Sequence, residues 1–186
     1  TLFQAGKLQE AEMQFANALA LDPKNIDALN LAGICAYQKQ EYESALHFLH
    51  QANELEPRSP YTHNTIGLVQ HACKQYSAAL AEFDIALNLQ KSLPEIHNNR
   101  GNALKALLQF DSAIDSYQIA IQLNPSYVEA FNNLGVTLKE LGRTDEALAC
   151  FDDAIRINPH YAEAFNNAGT VFQEIGSVKE ALQCYE

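Results

Sequence analysis

Residues 129–135 read Glu-Ala-Phe-Asn-Asn-Leu-Gly, and residues 163–169 read Glu-Ala-Phe-Asn-Asn-Ala-Gly, the same phrase 34 positions later. The phrase is one tooth of a longer comb. Ala11, Ala45, Ala79, Ala113, Ala147 and Ala181 recur at the same interval, and so do Ala18, Ala52, Ala86, Ala120 and Ala154. Every glycine falls into one of two phases, Gly33, Gly67, Gly101, Gly135 and Gly169 in the first and Gly6, Gly142 and Gly176 in the second. Pro23, Pro57, Pro125 and Pro159 share one proline phase, and Pro60 and Pro94 share another. A fixed interval of this size is the signature of stacked structural repeats.

Between those marks the apolar residues keep a helical period. Phe131, Leu134, Gly135 and Leu138 follow i, i+3, i+4, i+7 spacing, and Ala147, Leu148, Phe151, Ala154 and Ile155 do the same after a break at Gly142. Each period therefore predicts two helices. Gly142 and Gly176 supply the turn inside the pair, and Ser177 with Glu180 matches a capping box for the helix that follows. The prolines end the second helix and open the next period, because proline disfavours a helical residue before it and lacks an amide hydrogen. Glycine inside a helix costs ~0.5–1 kcal/mol against alanine, so five in one phase predict a helix pressed too close for a methyl group. The alanine series are expected to receive aromatic knobs from Phe15, Phe83, Tyr117, Phe151 and Tyr185, which share a phase completed by Leu49. His63 and His97 hold the phase of Phe131 and Phe165 and read as core substitutions with a polar edge.

Composition narrows the function classes. A chain of 186 residues, 47% hydrophobic and 19% charged, has the means to bury a core. Its formal charge of −11 repels phosphate backbones, which argues against a nucleic-acid partner. No apolar run reaches the ~18 residues of a membrane span and no leader pattern opens the chain, so membrane insertion is not expected. The chain starts at Thr1 rather than Met, the expectation for a stretch taken from something longer. Cys35, Cys73, Cys150 and Cys184 are too far apart for a zinc or redox motif and read as free thiols of a reducing compartment, which points to the cytoplasm. His47 and His50 lack a third ligand nearby in the sequence, and every glycine belongs to the repeat pattern rather than to a phosphate loop. No metal, cofactor or catalytic residue is expected.

An interval of 34 residues carrying two helices, with Phe131, Leu134, Gly135, Leu138, Ala147, Phe151, Ala154 and Pro159 in that order, resembles the tetratricopeptide repeat. The resemblance spans the chain. It divides a single array into the second half of one repeat (1–25), full repeats at 26–59, 60–93, 94–127 and 128–161, and a shortened repeat at 162–186. Lys91 stands where proline is expected, and Leu108 where glycine often sits. The resemblance implies an all-α, right-handed superhelical solenoid whose first helices line a concave groove, with the end caps missing from this stretch.

At 100° per residue, Glu129, Asn132, Asn133, Val136, Lys139 and Glu140 centre roughly 160° from the apolar side of their helix. If equivalent positions stack along a groove, as the resemblance implies, asparagine forms two rows. Asn30, Asn64, Asn98, Asn132 and Asn166 make a complete one, and Asn99, Asn133 and Asn167 a partial one. Asparagine is a few tenths of a kcal/mol worse than Glu, Gln or Lys inside a helix, so something offsets it. Carboxamides carry two donors and an acceptor and suit the backbone of an extended peptide. The alternatives are that the rows were copied at duplication or that they bond the neighbouring repeat. The partial row resembles the asparagine ladder of O-linked N-acetylglucosamine transferases, from which no catalytic residue carries over.

The first two repeats offer Leu31, Ile34, Tyr37, Tyr61 and Leu68 to the groove, whereas the later ones offer Asn99, Asn102, Lys105, Asn133 and Lys139 among Glu95, Glu129 and Glu163. This predicts a ligand with an apolar anchor followed by a hydrogen-bonded extended stretch. The apolar end also suits self-association or contact with a preceding repeat. Capture of a terminal carboxylate is disfavoured, since Asn30, Ile34, Thr65 and Glu95 stand where cations would be needed. The expected function is a protein-interaction module for an extended peptide or protein segment. A targeting arm of a larger enzyme such as a glycosyltransferase and a self-assembling scaffold are the competing readings.

Overall fold

The computed structural model describes residues 8–185, which form eleven α-helices and no strand. These residues fall into two compact units, one ending at Lys91 and the other beginning at Ser92. The boundary lies at the joint where lysine replaces the recurring proline.

Unit 1 contains α1 (Leu8–Leu21), α2 (Ile26–Gln38), α3 (Tyr42–Leu55), α4 (Pro60–Ala72) and α5 (Tyr76–Leu89). Each helix packs on its sequence neighbour, and α2 also touches α4. Side-chain caps set the starts of α2 and α4. The Asn25 side chain accepts from the amide of Ala28 at 2.9 Å, and Ser59 does the same for Thr62 just before Pro60. His63 is buried, with Nδ1 2.7 Å from Glu82 Oε2 on α5 and Nε2 3.1 Å from the Pro57 carbonyl, so its polar edge ties three segments together.

Unit 2 contains α6 (Pro94–Ala106), α7 (Phe110–Leu123), α8 (Val128–Glu140), α9 (Thr144–Ile157), α10 (Ala162–Glu174) and α11 (Val178–Tyr185). Here too neighbours in sequence pack together, and α8 additionally touches α6 and α10. First and second helices of a complete pair are 13 and 14 residues long in both units, so equivalent residues return to equivalent places.

The close approach inside each pair has one cause. A Cβ added at Gly67 would lie 2.6 Å from the Phe83 ring, at Gly101 2.5 Å from Tyr117, and at Gly135 2.6 Å from Phe151. The glycine of the first helix thus receives the aromatic knob of the second. The alanines close the remaining space, since Ala45, Ala79, Ala113 and Ala147 are fully buried. Each buried ring contributes ~1.5–3 kcal/mol. The turn inside each pair uses a left-handed residue: Gly142 and Gly176 as expected, but also Gln40, Lys74 and Leu108, with φ between 60° and 63°. The turn geometry is therefore kept even where glycine is absent, with the strain carried by a side-chain-bearing residue. No disulfide links the cysteines, and no helix among the described residues is long and apolar enough to cross a membrane.

Candidate functional site

The site expected from sequence lies on the side of the first helices, and each unit builds that side differently. In unit 1, α2 and α4 border an open cavity of about 670 Å³. Leu31 and Ile34 of α2 and Pro60 and Tyr61 of α4 form its apolar wall, and Asn30 and Thr65 line it beside them. Leu31 is 38% exposed and Tyr61 63%, large apolar surfaces left in contact with water. Asp27, Glu56 and Arg58 also line this cavity. Of the apolar residues expected to act together, Leu31, Ile34 and Tyr61 meet here. Tyr37 does not; its ring lies 6.2 Å from that of Tyr42 and packs on the core formed by Ala36, Ala45, Leu49, Ile66 and Val69. Leu68 is half-buried on α4 and does not line the cavity.

In unit 2 the carboxamides make a ladder between consecutive first helices. Asn133 Nδ2 donates to Asn98 Oδ1 at 2.9 Å, and Asn167 Nδ2 donates to Asn132 Oδ1 at 2.8 Å. Asn98 and Asn132 are only 5% and 4% exposed. Of the two rows expected along the groove, the complete one supplies the acceptors Asn98 and Asn132 of a bond between repeats, and the partial one supplies the donors Asn133 and Asn167. Unit 1 makes a related bond with a different donor, the Thr62 hydroxyl giving its proton to Asn30 Oδ1 at 2.9 Å. Asn64 and Asn99 are half-buried on α4 and α6, and Asn166 is exposed on α10.

Three further residues expected to reach a ligand make contacts within the protein itself. Asn102 Oδ1 accepts from the buried Tyr117 hydroxyl at 2.8 Å, which gives a buried donor its acceptor. Lys139 Nζ lies 2.8 Å from Glu174 Oε1, and Lys105 Nζ 3.9 Å from Glu140 Oε1. Both lysines therefore face a carboxylate of the following first helix. The signal for these pairs was present in the sequence as a spacing of 35, one repeat plus one residue. It joins Asn98 to Asn133, Asn132 to Asn167, Lys105 to Glu140 and Lys139 to Glu174.

Sequence reasoning passed over the phenols beside the first-turn glutamates. The Tyr161 hydroxyl donates to Glu163 Oε2 at 2.8 Å, and burial, followed by that carboxylate and Glu129, raises its pKa well above the ordinary phenol range. Tyr127 is pushed up to about 12, first by burial and then by the charges of Glu129 and Glu95. Glu95, Glu129 and Glu163 are exposed in the first turns of α6, α8 and α10, where the helix dipole favours an anion.

Models described as tetratricopeptide repeat match residues 2–67 and 128–161, and one described as TPR repeat matches residues 109–142. No curated protein matches the chain. Among solved structures the chain is similar to PilW, a widely conserved type IV pilus biogenesis factor, with a TM-score of 0.91 and 19% identity over 98% of this chain and 85% of that one. It is similar to pilF of Pseudomonas aeruginosa with a TM-score of 0.80 and 23% identity, over 86% of this chain and 73% of that one. A third similar structure is YrrB, a TPR protein with an unusual peptide-binding site, with a TM-score of 0.68 and 26% identity over 91% and 88% of the two chains.

Proposed function

This chain belongs to the tetratricopeptide repeat family, and from that premise we propose that it is a protein-interaction module whose first-helix side holds an extended segment of another protein. One observation carries the reading: the cavity between α2 and α4, where Leu31, Ile34 and Tyr61 converge and where Leu31 and Tyr61 leave much of their surface to water. A solvated apolar wall beside polar groups is the form taken by pockets that accept one side chain of an extended ligand. The peptide-binding site named for YrrB gives the reading a precedent in a chain of similar fold.

The ladder of unit 2 narrows what remains for a backbone to bond. Asn133 and Asn167 each spend one amide hydrogen on the preceding first helix. A carboxamide has a second hydrogen and an oxygen, and in these half-buried residues both remain for a ligand. The buried rail of Asn98 and Asn132 holds the donors in place rather than touching the ligand.

Panning a random peptide library displayed on phage tests this reading. The wild-type chain is expected to enrich peptides that the folded Leu31→Ser/Tyr61→Ser double variant does not retain. Equal retention by both proteins would remove the cavity from the function, and no enrichment on either would remove the module reading itself.

A further inference from the structure

We infer that the cavity of unit 1 takes a large apolar side chain from a cationic polypeptide segment. The inference rests on the reading of that cavity as a docking site and adds the chemistry of its occupant.

Asp27, Glu95, Glu129 and Glu163 stand at equivalent places, 34 or 68 residues apart, in the first turns of α2, α6, α8 and α10. The remaining place is held by Tyr61, exposed and facing the cavity. One repeat therefore offers an apolar surface where the others offer a carboxylate. A segment matched to unit 1 carries an apolar side chain at that step and positive charge beside it.

Charge inside the cavity agrees. Asp27 and Glu56 line it against a single cation, Arg58. In unit 2, taken by itself, the same sign prevails for a different reason. Lys105 and Lys139 already face Glu140 and Glu174, whereas Glu95, Glu129 and Glu163 stand exposed in the first turns of α6, α8 and α10. Tyr161 gives Glu163 a hydrogen bond but no positive charge. A formal charge of −11 extends the attraction beyond the contact and speeds encounter with cations at low salt.

Three synthetic peptides in a Gly-Ser background test the inference. One has a leucine between lysine pairs, the second has glutamate in place of lysine, and the third has serine in place of leucine. Binding is followed by fluorescence anisotropy at low and high salt, and by methyl resonances of Leu31 and Ile34. The leucine–lysine peptide is expected to move those resonances and to lose affinity with salt. Serine in place of leucine, or the Tyr61→Ser variant, is expected to weaken it about tenfold, the scale of one apolar contact. Asp27→Asn with Glu56→Gln is expected to weaken it about fivefold and to flatten its salt dependence. Circular dichroism establishes that each variant is folded.

If the glutamate peptide moves the same resonances with equal or higher affinity, through Arg58, the cationic occupant is wrong while the docking site stands. If no peptide moves them, both fall. Resonances that shift with protein concentration alone would give the cavity to a second copy of the chain and overturn the inference.

Discussion

Gly135 has no room for a side chain, because a Cβ there would sit 2.6 Å from Cε1 of Phe151, a ring that is itself fully buried. Gly135→Ala is therefore expected to destabilise unit 2 by about 1–3 kcal/mol, the cost of overpacking a filled core. Urea titration measures it, and an unchanged midpoint would mean that the ring has somewhere else to go. Gly142 makes a useful contrast. Its φ is +73° with nothing within 4 Å of an added Cβ, so alanine there meets only the backbone cost of a left-handed residue, about 1 kcal/mol. Leu108 already bears that cost, with φ 60° and a side chain 73% exposed. Leu108→Gly is expected to raise stability by about 1 kcal/mol, visible as a higher midpoint in the same titration. A lower midpoint would mean that the leucine makes a contact worth more than the strain.

At the scale of helices, the ladder from α6 through α8 to α10 separates stability from recognition. Asn132 is buried and accepts from Asn167, which is half-buried and has water as an alternative. Losing the donor leaves a buried oxygen unmatched, so Asn167→Ala is expected to cost about 1–3 kcal/mol, above an ordinary surface substitution. A double-mutant cycle with Asn132→Ala is expected to return a coupling of about 1 kcal/mol. Additive effects would show that the 2.8 Å contact contributes nothing. The Lys139–Glu174 pair has more exposed partners and is worth at most about 1 kcal/mol. The helices themselves were legible in the sequence because a period of 34 repeats the apolar pattern, the proline stops and the close glycines together. What each asparagine touches was less legible. Residues 34 apart were expected to lie in rows, but those that bond are 35 apart, because the donor comes from the next position along the following helix. Arg58 and Glu56 of the cavity lie in the turn before α4, outside any helix-face argument, so only the structure brings them beside Tyr61.

Across the molecule the titration of tyrosine is unevenly shared. Tyr117, Tyr127 and Tyr161, all in unit 2, are held above the ordinary phenol range, and burial is the main cause for each. Neighbouring carboxylates add to it, Glu140 for Tyr117, Glu129 and Glu95 for Tyr127, and Glu163 for Tyr161. Unit 1 has Tyr37 raised by burial and by the charge of Tyr42. The sign follows from where the proton sits. Above its ordinary value of 10.0 an unfolded phenol has lost its proton, while folded Tyr127 keeps it until about 12. The folded state then binds more protons than the unfolded one, so stability falls as pH rises through that window and is complete below it. Unit 2 is accordingly expected to lose stability in alkali over this range, ahead of unit 1. Amide exchange resolved by residue at several pH values distinguishes the units. Replacing Tyr127 and Tyr161 together by Phe should make the alkaline decline in unit 2 stability less steep, because two proton losses that favour unfolding are gone. A decline that begins in unit 1, or one that keeps its slope in the double variant, would show that these phenols do not govern the alkaline limit. The carboxylates of Glu95, Glu129 and Glu163 connect this behaviour to recognition. A bound cationic segment would neutralise the charges that help hold the protons on Tyr127 and Tyr161, so binding along unit 2 is expected to lower both phenol pKa values, read as earlier phenolate absorbance in the complex than in the free chain.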